Sequence, residues 1–179
     1  TFITEIIEYL PLSQLEFKYR NELHCNEVAI LPYYIANLNI EYTYKQKTGR
    51  YLEFENICFV DTLDNMGFTK GSQPQMNFFG LVDENAHRIG LQNQRKISVI
   101  IGNPPYNAWQ ENFNNQNANR SYPIIDKRIK DTYIKYGSAQ NQMGVYDMFT
   151  RFVRWASDRL NENGVIAYIS NNTFIDSRS

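Results

Sequence analysis

Apolar residues recur along the chain with two different spacings, which predict short strands and helices in alternation. Compact runs of β-branched and aromatic residues are typical of buried strands, whereas apolar positions three and four residues apart are typical of helices. The predicted strands are Glu22–Glu27, Asn56–Asp61, Ile97–Ile101 and Val165–Ile169. The predicted helices are Thr1–Leu12, Val28–Tyr44, Asp83–Arg95, Ile124–Tyr136 and Tyr146–Leu160, with a polar connection after the first. This order predicts an α/β fold with a mostly parallel sheet and crossover helices.

Two of these elements are predicted in more detail. Residues Ile97–Ile101 are apolar almost throughout, so we expect a strand that is buried on both faces. The helix at 28–44 has a stripe of apolar residues at helical spacing, and Gly49 is expected to close the excursion that contains it. The stripe consists of Leu31, Ile35, Leu38 and Tyr42.

The composition is that of an ordinary globular domain, with 42% hydrophobic and 21% charged residues in a chain of 179, long enough to bury a core. We therefore expect residues 1–179 to form a single domain. No apolar run approaches the length of about 20 residues needed to cross a bilayer, and no secretory signal opens the chain. The expected location is the cytoplasm, with no membrane partner.

The two cysteines, Cys25 and Cys58, lie in strand-like apolar runs, and no second thiol or histidine stands at ligand spacing from either. Buried, reduced thiols are the prediction, which fits a cytoplasmic protein; a disulfide or a metal site is the alternative. His24 and His87 are isolated in the sequence, so we expect no metal site.

The stretch after the strand Ile97–Ile101 is the most distinctive part of the chain. Asn103, Pro104, Pro105 and Tyr106 follow it, and the two prolines force the backbone into a stiff, extended turn at the carboxyl edge of the sheet. The Asn103 side-chain oxygen and the Pro104 carbonyl form two adjacent acceptors, suited to an exocyclic NH₂ group. Tyr106 can stack on a planar ring. The alternative is a proline-stiffened turn of no chemical consequence.

The sequence Asn103-Pro104-Pro105-Tyr106 resembles the catalytic motif of amino-methylating DNA methyltransferases, in the form typical of N6-adenine enzymes. The resemblance implies a partial Rossmann-like methyltransferase fold that uses S-adenosyl-L-methionine. It implies methyl transfer to an adenine that is flipped out of double-stranded DNA, with Asn103 to Tyr106 as the catalytic residues and with Asn103 also near the cofactor.

Two acids at predicted strand ends fit the same family. A carboxylate at the tip of the second strand of a Rossmann-like unit binds ribose hydroxyls, and Glu27 occupies that place, followed by Val28 against the adenine. Asp61, followed by Thr62, corresponds to the acid that receives the adenine amino group in this family. We expect Glu27, Asp61 and Asn103 to lie at one edge of the sheet. The alternative for each acid is a helix N-cap or a solvated strand end.

The resemblance extends over nearly the whole chain, but only over the middle of a methyltransferase core. Thr1 and Phe2 match the last residues of the family's glycine-rich methionine-binding loop, and they are predicted to contact the cofactor. The cofactor motif precedes the catalytic motif, which is the γ-type order. A long polar insertion at 107–142 and the sequence 171–174 look most like single-polypeptide restriction–modification enzymes (types ISP and IIG). We expect a fragment truncated at both ends, inactive alone, that partners the missing parts of its polypeptide or a restriction or specificity subunit.

The charge of the chain gives little support to DNA binding, because 18 basic and 19 acidic residues leave a net charge of −1. A local basic cluster is the candidate DNA-binding surface; a solvated helix face is the alternative. The cluster consists of Lys127, Arg128, Lys130 and Lys135. The rival functions are an N4-cytosine or protein-glutamine methyltransferase and, in another class, a non-catalytic module that binds DNA or a subunit.

Overall fold

The computed structural model describes residues 2–65, 81–105, 121–137 and 145–170 of the chain. They fall into two compact units, Thr1–Arg95 and Lys96–Ser179. Each unit contains a pair of parallel strands, and helices connect the two strands of each pair. The α/β class, with parallel strands and crossover helices, is therefore confirmed. The single domain over residues 1–179 stays a prediction.

The first unit contains four described helices and two described strands. In chain order they are α1 Phe2–Tyr9, α2 Leu12–Asn21, β1 Cys25–Glu27, α3 Ile30–Thr48, β2 Ile57–Phe59 and α4 Leu81–Gln94. β1 and β2 run parallel, with Cys25 opposite Ile57 and Glu27 opposite Phe59. The two strands are shorter than the sequence pattern predicts, and α4 confirms the helix predicted near 83–95.

The segment after α1, predicted as a polar connection, is helix α2 instead. Its buried residues are Leu15 and Tyr19, which lie four positions apart and hence on one side of the helix. Arg20 forms an ion pair with Glu16 on the exposed side, at a distance of 3.1 Å. The segment has four apolar or aromatic positions, of which only Leu15 and Tyr19 are buried, so they give no clear helical stripe and the helix was not predicted.

Aromatic rings form the centre of the first unit's core. The ring centroid of Tyr19 lies 4.2 Å from that of Tyr44 and 4.9 Å from that of Phe54. The Tyr19 hydroxyl donates a hydrogen bond of 3.1 Å to the Leu52 carbonyl, and burial raises the pKa of this phenol above its ordinary value. The other buried apolar residues of this cluster are Ile7, Leu15, Tyr33, Ile40 and Ile57. The core thus joins α1, α2, α3 and β2.

Helix α3 is apolar on two sides, and the side that packs is not the one whose spacing predicts the helix. Its core-facing apolar residues are Tyr33, Ile40 and Tyr44. The stripe of Leu31, Ile35, Leu38 and Tyr42 is exposed. The helix continues to Thr48, four residues beyond its predicted end at Tyr44, and is capped by Gly49, whose φ of 74° lies in the left-handed region that glycine adopts without strain.

The second unit has two described strands and three described helical segments. They are β3 Ile97–Gly102, α5 Pro123–Ile129, a π-helical turn at Lys130–Ile134, α6 Met148–Arg159 and β4 Leu160–Tyr168. β3 and β4 are parallel, with an irregularity in register between Ile97 and Val99. Strand β4 begins directly after α6, five residues before the predicted start at Val165. Asp147 is the N-cap of α6, and its carboxylate accepts a hydrogen bond of 2.6 Å from the Thr150 N–H.

Strand β3 is not buried on both faces as predicted. Ile100 is buried, whereas Val99 and Ile101 are 57% and 42% exposed. Val99 lies opposite Val165 of β4, which is 59% exposed. The apolar composition of β3 is that of a strand with cover on both sides. Within the described part of the chain, only one face of this strand pair is covered.

Gly102, the last residue of β3, lies against an aromatic ring. It is opposite Tyr168, and a Cβ atom at Gly102 would come within 3.1 Å of the tyrosine Cε1. The Tyr168 ring packs edge-on against Phe149 of α6, with centroids 6.3 Å apart. A glycine immediately before Asn103 therefore lets the tyrosine ring pack over the end of β3.

Both cysteines are free thiols. Cys58 is fully buried and Cys25 partly buried, so the prediction of buried thiols is confirmed for Cys58. Among the described residues, no cluster of three or more potential metal ligands occurs. None of the described helices is both long and apolar enough to cross a membrane.

We expect the Cys58 thiol to be almost unreactive in the folded protein. Burial raises its pKa to about 12, so at pH 8 only about one thiol in ten thousand is ionised. The test is the rate of modification by a disulfide reagent at pH 8, with Cys25→Ser present so that Cys58 alone is read. The same protein in guanidinium chloride serves as the control and should react fast. Equal modification rates in the folded and unfolded protein would show that burial does not protect the Cys58 thiol.

Substituting the glycine beneath the Tyr168 ring should lower stability. Gly102→Ala forces the ring to shift and is expected to reduce the free energy of unfolding by about 1 kcal/mol, measured by urea denaturation. Gly90→Ala is the matched control, because Gly90 lies within α4 with open space around the added methyl group. Alanine there should raise stability by about 0.5–1 kcal/mol. If Gly102→Ala raised the free energy of unfolding as Gly90→Ala does, the proposed crowding between the added methyl group and the Tyr168 ring would be refuted.

Candidate functional site

The carboxyl ends of β1 and β2 bring the two predicted acids of the first unit to one edge. The strands are parallel, so their ends point the same way, and the Val60 N–H donates to the Glu27 carbonyl over 3.0 Å. Glu27 is the last residue of β1, and Asp61 follows β2 by two residues. Both side chains are partly exposed. Glu27 and Asp61 therefore lie at the same edge of this strand pair.

The Glu27 carboxylate is held in a fixed orientation by its own backbone. Its Oε1 atom accepts hydrogen bonds of 2.9 Å from the N–H groups of Val28 and Ala29. Glu27 is not the N-cap of α3, because Ala29 holds that position. Among the residues that the structure describes, Oε2 has no hydrogen-bond partner. One oxygen thus anchors the group while the other is open to accept hydrogen bonds.

Asp61 begins a tight turn after β2. Its carboxylate accepts a hydrogen bond of 3.0 Å from the Leu63 N–H, and its carbonyl accepts one of 3.0 Å from the Asp64 N–H. This is the pattern of an aspartate-initiated turn, in which the side chain copies a main-chain bond. Asp61 is likewise not a helix cap. The turn fixes its carboxylate close to the main chain at the strand end.

The turn is anchored to helix α4 by a buried amide network that the sequence patterns did not reveal. Asn65, which is fully buried, donates to Gln92, and the Asn93 side chain donates to the Asn65 carbonyl over 2.9 Å. Nearer the strand, Asn85 Oδ1 accepts from the Phe59 N–H and its Nδ2 donates to the Phe59 carbonyl, each over 2.8 Å.

The signal for this network is present in the sequence but weak. Asn85, Gln92 and Asn93 occur with the buried Ile89 at helical spacing, which places all four on one side of α4. Amides on the buried side of a helix indicate that something polar must be satisfied there. Which main-chain groups they meet is decided only by the packing of α4 on β2.

The remaining predicted cofactor residues of the first unit are placed as follows. Val28 directly follows Glu27 and is 50% exposed, and Thr62 lies in the turn after Asp61. Phe2 is the first residue of α1 and is partly exposed, whereas Thr1 lies outside the described residues. Contact of these residues with a cofactor stays a prediction.

The proline turn follows β3 in the second unit. The Gly102 carbonyl accepts a hydrogen bond of 3.0 Å from the Ile169 N–H, so β3 remains paired with the chain after β4 up to that point. Asn103 and Pro105 are exposed, whereas Pro104 is buried. Tyr106 lies outside the described residues. Asn103 belongs to the other unit than the two acids, and its predicted convergence with them stays a prediction.

The basic cluster lies on α5 and the π-helical turn. Lys127, Lys130 and Lys135 are exposed, whereas Arg128 is held by Asp158 of α6 in an ion pair of 3.0 Å. The Lys135 N–H donates to the Lys130 carbonyl, a bond between residues five apart that brings both lysines closer to one side than an α-helix would. Three exposed lysines therefore remain as candidates for phosphate contact.

Helix α5 is fixed by a partly buried ion pair with α6. Arg151 Nε lies 2.8 Å from Asp126 Oδ1, and Asp126 Oδ2 accepts from the Tyr122 N–H over 2.9 Å. Ile125 and Ile129 are fully buried on the inner side of α5. The lysines are thus carried by a helix whose inner side is packed.

Several known structures resemble the chain, and three of them match it over 98% of its length. The DrdV–DNA complex, solved by cryo-electron microscopy, is 58% identical with a TM-score of 0.85. A nuclease-deletion mutant of the Type ISP restriction–modification enzyme LlaGI, in complex with a DNA substrate mimic, is 37% identical with a TM-score of 0.84. The ATP-dependent Type ISP enzyme LlaBIII bound to DNA is 33% identical with a TM-score of 0.79. The chain spans only 17%, 15% and 12% of these three chains.

No curated protein sequence matches the chain. The family model described as Eco57I restriction–modification methylase matches residues 14–179, which include Glu27, Asp61 and the whole of the proline turn. Together with the structural matches, this confirms the resemblance to the methyltransferase part of single-polypeptide restriction–modification enzymes. The chain belongs to the Eco57I restriction–modification methylase family.

Proposed function

We propose that this chain is the cofactor-binding and catalytic part of a DNA methyltransferase that methylates adenine at N6 within a restriction–modification system. One observation carries the proposal: at the edge where β1 and β2 end, the Glu27 carboxylate is held by two main-chain N–H groups, beside the turn that begins at Asp61. In the sequence, these acids are followed by the turn Asn103-Pro104-Pro105-Tyr106.

The residues fit S-adenosyl-L-methionine as cofactor. A carboxylate with one anchored and one open oxygen can accept a hydrogen bond from a ribose hydroxyl without a reorientation cost, which is the role of Glu27. Asp61 would accept a hydrogen bond from the adenine amino group, Val28 would pack on the adenine, and Thr62, Phe2 and Thr1 would complete the pocket. When bound, the cofactor supplies an electrophilic methyl group on a sulfonium.

The proline turn acts on the target base. The Asn103 side-chain oxygen and the Pro104 carbonyl would accept hydrogen bonds from the two amino hydrogens of adenine, which would favour a more tetrahedral nitrogen with an available lone pair. Methyl transfer to that nitrogen would leave a neutral thioether and release one amino proton to solvent. Tyr106 stacks on the base, which is extruded from the duplex at a cost of a few kcal/mol. No metal or covalent intermediate is needed for this displacement.

Double-stranded DNA is the proposed partner. Two of the matched structures are enzymes bound to DNA, and a third is in complex with a DNA substrate mimic. All three chains are several times longer than this one, which supports a place within a larger polypeptide. The three exposed lysines of the π-helical turn and α5 are proposed to contact DNA phosphates. Arg128 has a smaller part, because Asp158 already neutralises it.

Substituting the first residue of the turn tests the chemistry. In the complete gene product that carries this chain, Asn103→Ala is expected to abolish methyl transfer to DNA, because the amino group loses its side-chain acceptor. The exposed Asn39 of α3 provides the control, and Asn39→Ala should leave the rate unchanged. The measurement is mass spectrometry of nucleosides released from DNA after incubation with the cofactor.

The same measurement decides between the candidate substrates. N6-methyladenine is the expected product, whereas N4-methylcytosine would identify cytosine as the substrate. Methylated glutamine in a peptide digest, with no methylated nucleoside, would identify protein as the substrate. Full activity of Asn103→Ala would remove this residue from the mechanism. DNA binding without any methylated product in the unaltered protein would favour a non-catalytic binding module.

Neutralising the exposed lysines tests the DNA contact. Lys127→Gln, Lys130→Gln and Lys135→Gln together should weaken DNA binding and make its salt dependence shallower, by a slope of about 2 to 3, because each lost phosphate contact removes about one unit. Fluorescence anisotropy from 50 to 300 mM salt, about the range in which such contacts weaken, gives the slope. Lys45→Gln with Lys96→Gln, both exposed, is the control. An unchanged slope in the triple variant would identify the lysines as a solvated helix face.

A further inference from the structure

Resting on the proposed function, we propose that Asn85 is a positioning residue for the cofactor. It acts through the main chain of Phe59 on the Asp61 carboxylate and, across the strand pair, on Glu27. Asn85 lies on α4, is 8% exposed, and makes both of its side-chain hydrogen bonds to one residue of β2. Neither of these hydrogen bonds goes to Glu27 or Asp61.

The two bonds of Asn85 take the place of a neighbouring strand. In a parallel strand, successive residues direct their N–H and C=O groups to opposite sides. The Val60 N–H points to β1, where it donates to the Glu27 carbonyl over 3.0 Å. The N–H and carbonyl of Phe59 point the other way, and Asn85 satisfies both, each over 2.8 Å. The outer edge of β2 is therefore closed at Phe59 by a side chain of α4.

A change in the position of the Phe59 main chain would affect both acids. It lies opposite Glu27 in the strand register and two residues before Asp61. The far end of the turn is tied to the same helix, because Asn65 bonds to Gln92 and Asn93. Helix α4 thus holds the segment 59–65 at both ends, and the Asp61 carboxylate lies between the two anchors.

A substitution at Asn85 should therefore displace Asp61 without removing any group that contacts the cofactor. Asn85→Leu keeps the branched outline of the side chain but leaves the part-buried N–H and carbonyl of Phe59 without their partner. The main chain is then expected to relax toward water or toward another bond. The adenine end of the pocket should suffer most, since Asp61 is proposed to accept the adenine amino group.

The test is calorimetric titration of the complete gene product with S-adenosylhomocysteine and with S-inosylhomocysteine, in which an oxygen replaces the adenine amino group. Asn85→Leu should weaken the binding of S-adenosylhomocysteine about tenfold. It should weaken the binding of the inosyl analogue much less, because that ligand offers no amino group to Asp61. With Asp61→Ala already present, adding Asn85→Leu should cause little further loss, because the two residues act through one contact.

The matched control is an asparagine at the opposite end of the same strand. Asn56 immediately precedes β2, and its side chain likewise makes two hydrogen bonds to the main chain, donating to the carbonyls of Tyr19 and Arg20 over 3.1 and 3.0 Å. Asn56→Leu should lower the free energy of unfolding but leave the dissociation constants of both ligands unchanged. If Asn85→Leu does not fold, Asn85→Asp, which keeps the acceptor for the Phe59 N–H, is subjected to the same titrations and criteria.

The outcomes separate this proposal from the proposed function. If Asp61→Ala weakens binding while the Asn85 variant loses only stability, as Asn56→Leu does, then Asn85 is structural and the positioning role is wrong. Additive losses in the double variant, or equal losses for both ligands, would also overturn it. If the unaltered protein binds neither ligand, or if Asp61→Ala has no effect, the proposed cofactor site itself fails.

Discussion

The parallel pairing of β1 and β2 is the constraint on which the candidate site depends. Because the strands run the same way, with Glu27 opposite Phe59, their carboxyl ends and the two acids reach one edge. The hydrogen bond from the Val60 N–H to the Glu27 carbonyl fixes the last step of the register. A shift of one residue would turn every side chain of β2 to the other face and separate the acids. Three residues per strand are enough for this purpose.

Side chains, rather than further strands, satisfy the main chain around that edge. Glu27 accepts from the N–H groups that precede α3, Asp61 accepts within its own turn, and Asn85 closes the outer side of β2. A buried main-chain group without a partner costs about 1–3 kcal/mol, so the part-buried bonds of Asp61 and Asn85 are the strongest determinants of local geometry among these contacts. They also explain how so short a pair of strands can hold two carboxylates in defined positions.

Both units also carry apolar surface that no described residue covers. In the first unit it is the outer stripe of α3, and in the second it is the face of the β3–β4 pair that contains Val99, Ile101 and Val165. Parallel sheets are generally covered on both faces. The apolar residues of β3 are those of a strand covered on both faces, but the described residues cover only one face. The expectation that β3 is fully buried is therefore wrong for this structure.

The sequence by itself determined the order of strands and helices apart from α2, the acids at two strand ends, the proline turn after a third strand, and the glycine that closes the segment containing α3. These follow from local rules: residue spacing, the fixed φ of proline and the freedom of glycine. Only the tertiary structure decided that 12–21 is a helix, that α3 packs through Tyr33 and Tyr44, that Asp158 holds Arg128, and that Asn85 binds Phe59. Each of these depends on a partner distant in sequence, and spacing along the chain carries no information about which distant groups meet.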